Sequence, residues 1–244
     1  MAHVQEHSEP KLDEPMLVEG LPGVGLVGKL AADHLVRSLD MEHFASCYCE
    51  GVPRVAVYSE DESNIRAPIR LYADEASDLL VLQSDIPVSP QAAPEFATCL
   101  TGWFARNDVT PICLSGLARE KEGVPAMYGA GTGRGEAMLA DHDIDVPSES
   151  GMVSGPTGAL LVEAAEQGLD SVGLIVEANK QFPDPEAARV LLEKGIEPLT
   201  GVDVETDKLV EQAEEIAEAR EQLAQQMQQA DEESTQAQPL GMYQ

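Results

Sequence analysis

The stretch "PGVGLVGK", residues 22–29, holds residues whose types and spacing could do chemistry. Gly23, Gly25 and Gly28 match the G-x-G-x-x-G pattern, in which a strand turns into a helix and backbone N–H groups cradle a dinucleotide pyrophosphate. Glu50 follows the next apolar run, roughly where a ribose-binding carboxylate would sit. Two features weigh against a nucleotide. Leu21-Pro22 separates the strand from the first glycine, and nothing downstream supplies a hydride-transfer set. Pro22, Gly23, Gly25 and Gly28 are therefore read as a structural turn, where glycine permits positive φ and close backbone approach.

Other candidates are thinner. Asp85 in "SDIPVSP" ends an apolar strand, where α/β sheets hold ligands, although such an Asp more often caps a turn. Arg134, Glu136 and His142 could together hold an anionic metabolite. Ser154 in "VSGPTG" sits in no G-x-S-x-G elbow and has no triad. Cys47, Cys49, Cys99 and Cys113 form no CxxC, and the histidines at 3, 7, 34, 43 and 142 share no ligand spacing with them. They read as reduced packing residues, with Cys47 and Cys49 on one face of a strand. No catalytic residue, metal or cofactor is expected. The alternative is a nucleoside- or nucleotide-binding protein or enzyme that uses the crevice near the glycine turn and Asp85.

The elements that must position these residues follow from periodicity. Apolar runs at 15–20, 43–50, 54–59, 68–73, 78–85, 109–117 and 170–179 read as strands. Helices are expected from the glycine turn to about Asp40, from Ser89 (N-cap, with Pro90 at the first position) to about Asp108, at 155–168, and at 184–196 with Gly195 as its C′ residue. Residues 118–144 should carry a loop, a short strand and a short helix. Alternation of strands and helices means a single α/β domain with a largely parallel sheet, or a mixed one given the hairpin-like strands near the middle. The expected layout is a flexible N-terminus (1–14), the α/β core (15–204), a long C-terminal helix (205–230) and a flexible tail (231–244). In that helix Leu209, Ala213, Ile216, Leu223 and Met227 share a stripe, interrupted by Arg220.

Composition narrows the partners. Asp and Glu number 44 against 15 Lys and Arg, a formal charge of -29. Nucleic acid and anionic membranes are thereby disfavoured. Pervasive acid with scarce Lys resembles a halophile cytosol, where carboxylates keep surfaces hydrated. No apolar signal or 18-residue apolar run is present, so a soluble cytoplasmic protein is expected.

Three segments in order resemble the proteasome assembly chaperone family of archaea and its eukaryotic relatives. These are "GLPGVGLVGKLAADHL", "GMVSGPTGALLVEAAEQG" and "FPDPEAARVLLEKG". The resemblance implies a nucleoside-phosphorylase-like α/β core, homo-oligomers and no established enzyme activity. The ending "MYQ" matches the hydrophobic-Tyr-any-residue terminus of many proteasome activators and of the chaperone subgroup that binds the finished core particle. This implies that Met242, Tyr243 and Gln244 dock between neighbouring α-subunits of the core proteasome. The Gln244 carboxylate would pair with a pocket Lys, the Tyr243 ring would fill an apolar slot, and Met242 would adapt to the mouth. Residues 231–244 would reach at most ~50 Å.

Overall fold

A computed structural model describes residues 2–50, 52–58, 63–119, 123–181, 183–209 and 211. Its centre is four apolar strands that tolerate burial on both faces: β2 (Met16–Gly20), β5 (Leu79–Ser84), β6 (Thr110–Ala118) and β8 (Ser171–Ala178). With β1 (His3–Glu6), β3 (Glu42–Tyr48), β4 (Ile69–Asp74) and β7 (Met127–Thr132) they form one sheet in the order β1-β3-β4-β5-β2-β6-β8-β7. The β5-β2-β6-β8 pairings are parallel. All flanking pairings are antiparallel, so the mixed form of the sheet is the one realised.

Alternation along β2 splits the core in two. Val18 faces the layer of α1 (Val27–Ser38) and α5 (Pro185–Leu191), while Leu17 faces α2 (Ala93–Arg106). In α1, Val27, Ala31, Ala32 and Leu35 recur at helical spacing and are buried. In α2, Phe96, Leu100, Trp103 and Phe104 do the same against the opposite face. Three further helices are α3 (Gly135–Asp141), packed on β7, α4 (Gly155–Gln167), packed on α2, and α6 (Glu197–Thr200). Among the described residues no helix is long and apolar enough to cross a membrane.

Several expectations are corrected. The N-terminus is a strand where a flexible segment is expected: β1 pairs with β3, Val4 packs on the core, and the Trp103 indole N–H donates to Glu6 at 2.8 Å. In the run expected as a strand at 54–59, the described residues 54–58 form none; an isolated bridge joins Val57 to Arg66. Helix α2 starts late. Ser89 instead opens a preceding turn, its carbonyl accepting from the N–H groups of Ala92 and Ala93. Gly195 does not end a helix. It lies inside a π-turn (Leu192–Ile196), where a Cβ would stand 2.6 Å from Leu174 Cδ1. Helix continues to Thr200, and Gly201, at φ +73, is the residue that ends it. Of the expected C-terminal helix, residues 207–209 are helical and Leu209 is buried. Most of the rest, and the whole tail with Met242, Tyr243 and Gln244, lie outside the described residues.

Candidate functional site

The glycine turn joins β2 to α1 at the carboxyl end of the sheet. Gly25 has φ +63, and the following Leu26 has φ +51. The Leu26 N–H donates to the Gly23 carbonyl at 3.0 Å, and the Asp184 N–H to the Gly25 carbonyl at 2.8 Å. A Cβ on residue 25 would stand 3.0 Å from Ala178 Cβ and 3.2 Å from the Asn179 carbonyl. At Gly28 it would stand 3.3 Å from the Glu19 and Leu21 carbonyls. Across the crevice, Gly116 admits the Val24 carbonyl, which would lie 2.4 Å from its Cβ. Gly23 has nothing within 4 Å, and Pro22 beside it is half-buried. The room made by Gly25, Gly28 and Gly116 is thus filled by the chain's own backbone. Where a dinucleotide-binding turn leaves that room to a pyrophosphate, here it serves packing.

Topology also removes the proposed ribose acid. Glu50 is exposed beyond the end of β3, and β4 and β5 lie between β3 and β2. Asp85 is engaged as a structural anion. Arg70 reaches it at 2.7 Å and Lys29 at 3.2 Å. Lys29 also binds Asp33, Gln83 donates to Asp33 at 2.7 Å, and Arg70 donates to Gln83 at 2.6 Å, which closes a ring. Burial raises the Asp85 pKa, but the hydrogen bond and charge of Arg70, with Lys29, outweigh it and hold the carboxyl below its usual range.

The other candidates do not converge. Arg134 is taken by Asp170 at 2.6 Å, and Glu136 and His142 lie at opposite ends of α3. Ser154 precedes α4 without a side-chain capping bond. The four thiols are free; Cys47 is buried in β3, whereas Cys49 lies beyond its end. Burial pushes Cys49 up to about 11 and Cys47 and Cys113 further, so none is an activated nucleophile. Among the described residues no cluster could hold a metal ion.

Two features escape sequence reasoning. The first is Glu19, in the middle of "MLVEG", with no exposed surface. Its carboxyl accepts from the N–H groups of Leu21 and Leu114, each at 3.1 Å, and from the Thr157 hydroxyl at 3.1 Å. It therefore ties β2, β6 and α4 together. Desolvation pushes its pKa up to about 8 against the lowering effect of those bonds. A lone acid within an apolar strand was the available signal. The second is a cleft of about 470 Å³ between β6, β7 and β8 and the segment 147–153, floored by Leu117, Tyr128 and Ile175.

The PAC2 family pattern matches residues 17–224, spanning the glycine turn, both helical layers and all strands but β1. The chain belongs to the PAC2 family. The crystal structure of Pyrococcus furiosus PbaA, described as an archaeal homolog of proteasome-assembly chaperone, superposes with TM-score 0.79 at 26% identity over 95% of this chain and 100% of that one. Pyrococcus furiosus PbaB, described as an archaeal proteasome activator, shares the fold with TM-score 0.75 at 23% identity over 91% of this chain and 98% of that one. An uncharacterized protein of Methanocaldococcus jannaschii is 29% identical, covering 83% of this chain and 80% of its own length.

Proposed function

We propose that this PAC2 protein is a cytoplasmic proteasome-binding factor, an assembly chaperone or activator that works by contact and without ATP or chemistry of its own. The observation that carries the reading is the end-to-end likeness to PbaA. The filled crevice at the glycine turn agrees with it, because it leaves no room for a phosphate there.

The proposed contact is the tail. Met242 and Tyr243 enter an apolar pocket between neighbouring α-subunits of the core proteasome, and the Gln244 carboxylate pairs with a lysine there. One tail binds weakly, because the contact is small and its ordering costs entropy. A homo-oligomer carrying several tails multiplies the affinity by roughly 10².

The test is co-sedimentation with purified core proteasomes. Tyr243→Ala, and separately removal of Met242 to Gln244, should abolish binding while the far-ultraviolet spectrum and Tm stay unchanged. Undiminished binding by both variants would overturn the tail contact.

A further inference from the structure

Two clefts lie toward the carboxyl ends of the parallel strands, where α/β sheets hold small ligands. The one at the glycine turn is filled by the chain's own backbone. The other, between β6, β7, β8 and the segment 147–153, keeps about 470 Å³, within the range of about 300–1,000 Å³ usual for small-molecule sites. Its floor is apolar. Along β8, Val172, Leu174 and Val176 face the α1–α5 layer, so Ile175 faces the other way. There it lies with Leu117 and Tyr128 on the floor of the cleft. Helix α4 covers this face as far as Gly173, where a Cβ would stand 3.2 Å from Leu161 Cδ1. Beyond that point the opposite wall is the non-helical segment 147–153, where parallel strands normally carry a packed helix. Met152 on that wall is 92% exposed, a soft apolar side chain able to fold over a ligand.

The charge at the cleft is unbalanced. Arg119 is shared by two carboxylates, Glu149 and Glu177, each at 3.1 Å. Glu177 also accepts from the Ala126 N–H at 3.2 Å, whereas the Glu149 side chain is 75% exposed. One negative charge is thus left over beside an apolar floor. We infer that this cleft binds a small organic amine, an ammonium group carried on a short apolar body. The ammonium pairs with Glu149, and the hydroxyl oxygens of Ser148 and Ser150 on the same wall serve its remaining N–H groups. The body lies on Leu117 and Ile175, and the Tyr128 ring adds its attraction for a cation. An anion would meet the surplus acid, and a neutral molecule would leave it unpaired. The field of a chain with formal charge -29 gathers cations of every kind. The apolar floor is what favours an amine with a body over a bare metal ion. The volume suits a free small molecule rather than a folded partner. The inference is independent of the tail contact.

The experiment is isothermal titration of the full chain with phenethylamine at about 0.1 M salt, where exposed charges still act over ~10 Å. Phenethyl alcohol and phenylpropanoate carry the same ring with a neutral and an anionic end. The amine should bind with a Kd of about 1 mM or tighter. The alcohol should bind roughly fivefold more weakly, the worth of an exposed ion pair, and the carboxylate more weakly still. Glu149→Gln should bring the amine down to the affinity of the alcohol and leave the alcohol unchanged. Glu149 is exposed, so this variant does not threaten the fold. Leu117→Trp fills the cleft and should remove both ligands, with Tm as the check on folding. A parent that does not bind the amine overturns the inference. So does equal binding of amine and carboxylate. Amine binding at the parent's strength in both variants also overturns it, since the amine would then be held by the acidic surface at large. Tyr243→Ala should bind the amine like the parent, so failure of the inference leaves the tail contact untouched.

Discussion

A carboxyl group with no exposed surface, facing two backbone N–H groups and a hydroxyl, links folding to pH. Glu19 titrates near 4.5 in the unfolded chain and near 8 in the folded one. Between those values the folded state holds a proton that the unfolded state has lost. Stability from this group is therefore complete below about pH 4.5, declines as pH rises, and is gone above about 8. The slope is at most about 1.4 kcal/mol per pH unit. His34 and His43, whose pKa values burial lowers, and the four thiols, whose values burial raises, are the same in Glu19→Gln, so the difference between the two proteins isolates Glu19. Chemical denaturation from pH 7 to 8.5 should show the parent losing stability up to about pH 8 and then levelling. Glu19→Gln should be less stable by about 1–3 kcal/mol at pH 7, because its amide leaves the N–H of Leu21 or Leu114 without an acceptor. It should also show no such slope, so that the curves converge at alkaline pH. Parallel curves would mean that Glu19 is ionised in the folded state.

At the scale of elements, the glycines of the β2–α1 segment differ in what they do. Gly20→Ala would place Cβ 2.2 Å from the Ala32 methyl and 2.8 Å from the Leu82 carbonyl, which forces α1 off the sheet at a cost on the order of 2–3 kcal/mol. Gly25→Ala adds left-handed strain of about 1–2 kcal/mol to its contacts with Ala178 and Asp184. Gly23→Ala should change stability by less than about 0.5 kcal/mol, since its backbone is extended and nothing lies within 4 Å. Thermal unfolding of the three variants checks the order, and an equally destabilised Gly23→Ala would contradict it. The turn itself was legible, because strand, glycines and helix follow one another within a few residues. So were β4, β5, β6, β8 and α4, whose apolar periods are local. What fills the turn was not legible: Ala178 and Asp184 arrive from the far end of the chain, and only tertiary packing brings them there. The same holds for β1, a polar stretch made into a strand by an edge of β3, and for Gly195, whose role is its approach to Leu174 rather than a helix end. Glu19 was visible as a charge in a strand, but the face it occupies depends on strand order, which pairs β2 with β5 and β6 across long stretches of sequence.

At the scale of the whole molecule, charge and apolar surface divide the work of association. With 44 acidic residues against 15 basic ones, each copy repels its neighbours at low salt, and the few neutral or apolar surfaces carry any contact that forms. The proposed tail contact divides in the same way: the Gln244 carboxylate pairs with a lysine, while Met242 and Tyr243 bury apolar surface. Raising salt from about 0.1 M to about 2 M shortens the screening length from ~10 Å to a few ångströms, which removes the repulsion on an acidic chain and weakens an exposed ion pair. Co-sedimentation of the parent with core proteasomes should therefore persist at about 2 M salt, carried by Met242 and Tyr243, and Tyr243→Ala should bind at neither salt. Titration of core particle against parent and variant at both salts makes the measurement. Loss of the parent's binding at high salt would mean that charge, and not the apolar pair, carries the contact.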